Sequence, residues 1–119
     1  MTSNITINAD AYLSFLSLVE AAKDRKALLD LDLKEERLLH KLGIAWGKGE
    51  VVTALDATQI LPEVSKSNGH KIMKDLARRG LLKLTLDEGD NRRKYVVPTS
   101  AANKYFLQME KLLNKAALK

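Results

Sequence analysis

Cysteine is absent from this 119-residue chain, and that removes whole classes of function. No disulfide scaffold, thiolate-bound zinc, iron–sulfur centre or thiol nucleophile is available to it. Histidine is scarce, with only His40 and His70, so most imidazole metal sites are excluded as well. Long apolar runs are missing too. The longest mostly apolar stretch, Ala11 to Ala22, is too short for a bilayer and is interrupted by Ser14, Ser17 and Glu20. The opening MTSNITINAD lacks the basic region, apolar run and small-residue cleavage site of a secretory leader. The expectation is a cytoplasmic protein without a membrane partner, a metal or a cofactor.

What is present fits one folded domain over residues 1–119. Hydrophobic residues make up 45% and charged residues 29%, an ordinary balance for a globular chain. Twenty Lys and Arg against fifteen Asp and Glu leave a formal charge of +5, which favours a polyanionic partner.

The apolar spacing predicts mostly helices. Residues 9–27 carry Tyr12, Phe15, Leu16, Val19 and Ala22 on one stripe, widened by Leu13 and Leu18, with Asn8 or Asp10 as cap. So broad an apolar surface calls for two burial partners, one of them a second copy of the chain. A second helix runs from Lys34 to Trp46, with Asp32 and Glu35 as a capping box and Gly47 and Gly49 as its stop. Trp46 is expected in the core. Thr53 caps a short helix from Ala54 to Leu61, and Pro62 ends it. Ser65 caps a helix from Lys66 to Arg79, which Gly80 closes. The period then changes. Leu82, Leu84 and Leu86 alternate with polar neighbours as in a half-buried strand. Asp87 to Arg93 reads as a charged turn and Lys94 to Val97 as the return strand. Thr99 or Ser100 caps a last helix, 100–118, whose apolar side holds Tyr105, Met109, Leu112, Leu113 and Ala116.

The charge is segregated. Between Val64 and Val96 lie nine basic residues and four acidic ones, an excess equal to that of the whole chain. The remaining 86 residues balance at eleven of each sign. A positive field confined to one helix and one hairpin matches a duplex-binding surface better than an evenly solvated one. On the helix from Lys66, the residues Gly69, Ile72, Met73 and Leu76 share the inward face. Lys66, Ser67, His70, Lys71, Lys74 and Arg78 lie outward, with Asn68 at an intermediate angle. Asn68 suits adenine, Lys66 or Lys71 suits guanine, and Ser65 or Ser67 suits a phosphate at the helix start.

These residues carry a family resemblance. Thr53 to Ser100 resembles the winged helix-turn-helix of the MarR family of bacterial transcriptional regulators. SKSNGHKIMKDLARRGLL is similar to the family's recognition helix, and DNRRKYVVPT is similar to its wing. The resemblance implies a mainly α fold with a small β-hairpin wing, the helix-turn-helix and wing at 53–99, and dimerisation helices at 9–27 and 100–118. It implies that Arg92 reaches a minor groove, with Arg93 beside it, and that Asp90 orients the wing. Two departures stand out. Pro98 replaces an apolar residue before the capping Thr, so the strand is expected to end early. The chain also ends after one C-terminal helix where the family has two, leaving less wall for the inducer pocket found in the family. Nothing in the sequence itself indicates an inducer.

Other constellations are weaker. Glu36 and His40, four apart, suit a helix-stabilising pair and lack further metal ligands. GKGE (Gly47 to Glu50) has neither the length nor the ending of a phosphate loop. No Ser, His and Asp spacing suggests nucleophilic catalysis, so an enzyme is not expected. Tyr12, Phe15, Tyr105 and Phe106 suit core and dimer contacts rather than single-strand stacking. The expectation is a homodimer that binds double-stranded DNA sequence-specifically and acts as a transcriptional repressor. The alternatives are an architectural or replication-associated DNA binder and a winged helix used for protein–protein assembly.

Overall fold

The computed structural model describes residues 5–89 and 92–118. Within them the chain forms α1 (Asp10–Asp24), α2 (Leu33–Gly47), β1 (Val52–Thr53), α3 (Ala54–Gln59), α4 (Lys66–Arg78), β2 (Leu82–Leu86), β3 (Lys94–Pro98) and α5 (Ser100–Ala117). The fold is mainly helical with a small antiparallel sheet, the winged-helix arrangement. Two compact units are distinguishable. One takes in Leu31 to Lys104, and the other the segment up to Asp30 together with that from Tyr105. No helix among the described residues is long and apolar enough to cross a membrane.

In the first unit, local signals set the helix starts. Asp32 Oδ1 accepts from Glu35 N at 2.8 Å while Glu35 Oε1 accepts from Asp32 N at 3.1 Å, a complete capping box for α2. Thr53 caps α3 through Asp56 N, and Ser65 caps α4 through Asn68 N. Thr99 is the residue that caps α5. It accepts from Ala102 N at 3.1 Å, and its hydroxyl donates to Gly80 O at 2.6 Å. At the end of α4, Gly80 sits at φ 76° and the amide of Leu81 returns to Leu76 O at 3.0 Å. That closing turn satisfies carbonyls that would otherwise be orphaned. Gly49 repeats it after α2 at φ 77°, while Gly47 lies inside the helix rather than stopping it.

Leu38, Leu39 and Leu42 of α2, Met73 and Leu76 of α4, and Val96 of β3 are the fully buried centre. Gly69 permits the tight approach of α4 to α3, because a Cβ there would overlap the Thr58 carbonyl. Trp46, expected in the core, is half-buried instead, and its indole Nε1 donates to Val96 O at 3.1 Å. The amphipathic indole is satisfied at the core's edge.

The sheet order is β1-β3-β2. β1 was not expected from sequence, since two residues carry no periodicity and Val52↔Val96 and Thr53↔Tyr95 define the strand only by pairing. Pro98 does not end β3 early. It pairs with Leu82. Asp87 N donates to Arg93 O at 2.9 Å, which makes Asp87 and Arg93 a hydrogen-bonded pair. Alternation then makes Leu82↔Pro98 a non-bonded pair. The nitrogen of Pro98 therefore faces the β1 side, where pairing has already ended at Val96, and no ladder bond is lost. The alternating leucines of β2 are buried only at the start. Leu82 is 3% exposed, Leu84 37% and Leu86 57%, because the hairpin runs out beyond the core.

The second unit holds α1 and the larger part of α5. Ala9 is the N-cap of α1 and no side chain caps it, so neither Asn8 nor Asp10 plays that part. Asp10 lies in the first turn, where its charge suits the helix dipole. The helix ends at Asp24 rather than Ala27, because Lys26 turns left-handed at φ 57° and Ala27 N returns to Ala22 O. Val19, Ala22, Leu28, Tyr105 and Ala116 are buried. Tyr105 and Phe106 meet edge to face at 5.6 Å. Tyr12, Leu13 and Leu16 of α1 and Leu107 and Leu113 of α5 are exposed.

Candidate nucleic-acid interface

All ten residues singled out from sequence are exposed: Ser65, Lys66, Ser67, Asn68, His70, Lys71, Lys74, Arg78, Arg92 and Arg93. The inward face of α4 is the expected one, with Gly69, Ile72, Met73 and Leu76 buried. An apolar face locked into the core fixes the rotation of the helix, so its cationic face has one orientation. At the start of α4 the hydroxyls of Ser65 and Ser67 approach to 3.4 Å. Ser65 already serves as the cap, which leaves Ser67 as the freer hydroxyl of the two.

Two open concavities organise the surface. The larger, ≈ 740 Å³, lies between α4 and the β2–β3 hairpin, and Lys66, Ser67, His70 and Lys74 line its helical side. Leu84 and Lys94 line the hairpin side, and Ala54, Leu55 and Thr58 of α3 also contribute. The smaller, ≈ 580 Å³, lies between the start of α3 and the wing, where Arg92, Arg93 and Lys94 meet Thr53 and Asp56. Ala54, Leu55 and Lys94 belong to both. Lys66 on the helix and Arg92 on the wing thus border adjoining hollows. Asn68, Lys71 and Arg78 lie on exposed α4 surface outside both.

The nine cations of this segment are not equivalent. Arg78 pairs with Asp75 at 3.1 Å on the surface, an arrangement worth little in stability that offsets part of its charge. Arg79 turns to the buried Glu35 carboxylate at 3.6 Å and joins the end of α4 to the start of α2. Arg37 and Glu63 pair between α2 and the loop after α3. Lys94 was missed as a site residue. The Arg92–Arg93 doublet is the louder signal, and the placement of Lys94 toward α4 depends on strand register. Asp90, to which the resemblance gave the orienting role in the wing, lies outside the described residues. Among the described residues no three His, Asp or Glu side chains gather as a metal site would require.

No protein-family model and no curated protein matches the chain. Solved structures do. Heme-free PefR covers 91% of this chain and 90% of its own, with a TM-score of 0.60 at 19% identity. A MarR-like transcriptional regulator from Thermotoga maritima covers 95% and 82%, with a TM-score of 0.60 at 20% identity. The heme sensor PefR from Streptococcus agalactiae, solved with heme, covers 93% and 76%, with a TM-score of 0.59 at 21% identity. At such identities the likeness establishes architecture, and the architecture is that of MarR-like regulators.

Proposed function

We propose that this chain is a MarR-type transcriptional regulator that binds double-stranded DNA as a homodimer and represses by occluding its operator. The carrying observation is the concentration of the chain's net positive charge on α4 and the adjoining hairpin, with all ten singled-out side chains exposed there. In this reading α4 enters a major groove. Asn68, Lys66 and Lys71 meet base edges, Ser65 and Ser67 the flanking phosphate, and Arg92 and Arg93 the neighbouring minor groove. The exposed apolar side chains of α1 and α5 serve the dimer contact. A twofold dimer places two α4 helices about one helical turn apart on a near-palindromic site.

Selection of bound fragments from a random duplex pool, followed by mobility shifts at two salt concentrations, tests this. A short symmetric consensus is expected. Retardation of every fragment alike would instead indicate an architectural binder, and retardation of none would leave an assembly module.

A further inference from the structure

The face of the hairpin toward α4 is built differently from its back. Register places Leu82, Leu84 and Leu86 opposite Pro98, Val96 and Lys94 on one face. That face begins in the core, with Leu82 and Val96 buried, and continues outward as Leu84, Leu86 and Lys94. Lys83, Thr85, Tyr95 and Val97 occupy the other face. The hollow in front of it is apolar at Leu55, Met73 and Leu84 and cationic at Lys66, Lys74 and Lys94, and none of its lining residues is acidic. Lys94 carries this surface on into the smaller hollow, which holds Arg92 and Arg93 and one acid, Asp56.

We infer that the larger hollow is a track for one sugar–phosphate strand of duplex DNA, with Lys94 and Lys74 on its phosphates and Leu84 against its deoxyribose. The inference rests on the DNA-binding reading above and adds residues and a ligand moiety to it. A helix in a major groove and a wing in the adjoining minor groove straddle one backbone strand, since a single strand separates neighbouring grooves. That strand offers two chemistries in alternation, anionic oxygens and the C–H faces of the sugars. Lysines beside a leucine and a methionine complement both. Acidic side chains in the lining would repel the strand, and base-edge recognition would call for amides or hydroxyls at Leu84 and Met73.

The test is fluorescence anisotropy of a labelled selected duplex against the full chain over a salt series. Lys94→Gln is expected to weaken binding about 5–10-fold near 0.1 M salt and to lower the log–log salt slope by about 1, with the ranking of sequences unchanged. Leu84→Glu is expected to weaken binding at least as much, with thermal unfolding recorded alongside. Lys83→Gln, on the back of the same hairpin, is expected to leave affinity and slope unchanged. Wild-type affinity and slope in Lys94→Gln overturn the track, as does an equal loss in Lys83→Gln, which signals a diffuse field. A wild-type chain that binds no duplex fails the DNA-binding reading itself, a result distinct from either.

Discussion

Tyr95 and Asp87 are bonded across the wing. The Tyr95 hydroxyl donates to Asp87 Oδ2 at 2.9 Å, and Asp87 Oδ1 accepts from Gly89 N at 2.9 Å. The bond lies on the hairpin face opposite Leu84 and braces the turn that leads to Arg92. Tyr95→Phe keeps the ring and removes the bond. It is expected to cost about 1 kcal/mol or less in thermal unfolding. DNA affinity should fall severalfold with the salt slope unchanged, because no cation is removed. Measurement of both quantities separates bracing from charge.

Gly69 carries the approach of α4 to α3. Gly69→Ala would set a methyl group against the Thr58 carbonyl, and neither backbone can yield without moving its helix. A loss of about 2–3 kcal/mol is expected in denaturant unfolding. A neutral result would show that the two helices are less tightly packed than described.

Base reading and phosphate binding leave different signatures. Asn68→Ala and Lys71→Ala are expected to cost about 1–3 kcal/mol on the preferred duplex and little on unrelated ones. Arg92→Ala is expected to weaken all duplexes about equally. Titrations against matched and scrambled duplexes decide, and unchanged binding in all three variants would reject the docking.

Lys26 is the described non-glycine residue with positive φ, at 57°. A side chain there is strained, and glycine relieves the strain. Lys26→Gly is expected to raise stability by roughly 0.5–1 kcal/mol despite the added freedom of the unfolded chain. Differential scanning calorimetry would show the midpoint rising.

Leu107 and Leu113 of α5 are 54% and 53% exposed. The double change Leu107→Asp with Leu113→Asp is expected to turn a wild-type dimer into a monomer by sedimentation, with helical circular dichroism retained. A wild-type monomer would contradict the dimer reading.

The parts of the fold legible in the sequence were those written locally. Asp32, Thr53 and Ser65 announce helix starts because a cap acts within three residues of itself. The inward face of α4 follows from spacing alone. What escaped depends on partners distant in the chain. β1 exists only because Val52 meets Val96, and Pro98 stays in β3 because β1 has stopped short of it. The open start of α1 went unread because two plausible capping residues flank Ala9 and neither is used. The ten site residues were found as a charge pattern. Lys94 was not, because which side of a hairpin faces α4 is a matter of register.

The chain has a single tryptophan, and its indole is held by the central strand through Val96 O. Trp46 is thus a built-in fluorophore, and its emission follows one event, the parting of α2 from the sheet. Fraying at α1 or at the far end of α5 leaves that emission unmoved. Far-ultraviolet ellipticity registers both, so any gap between the two melting curves measures how independently the terminal helices come apart.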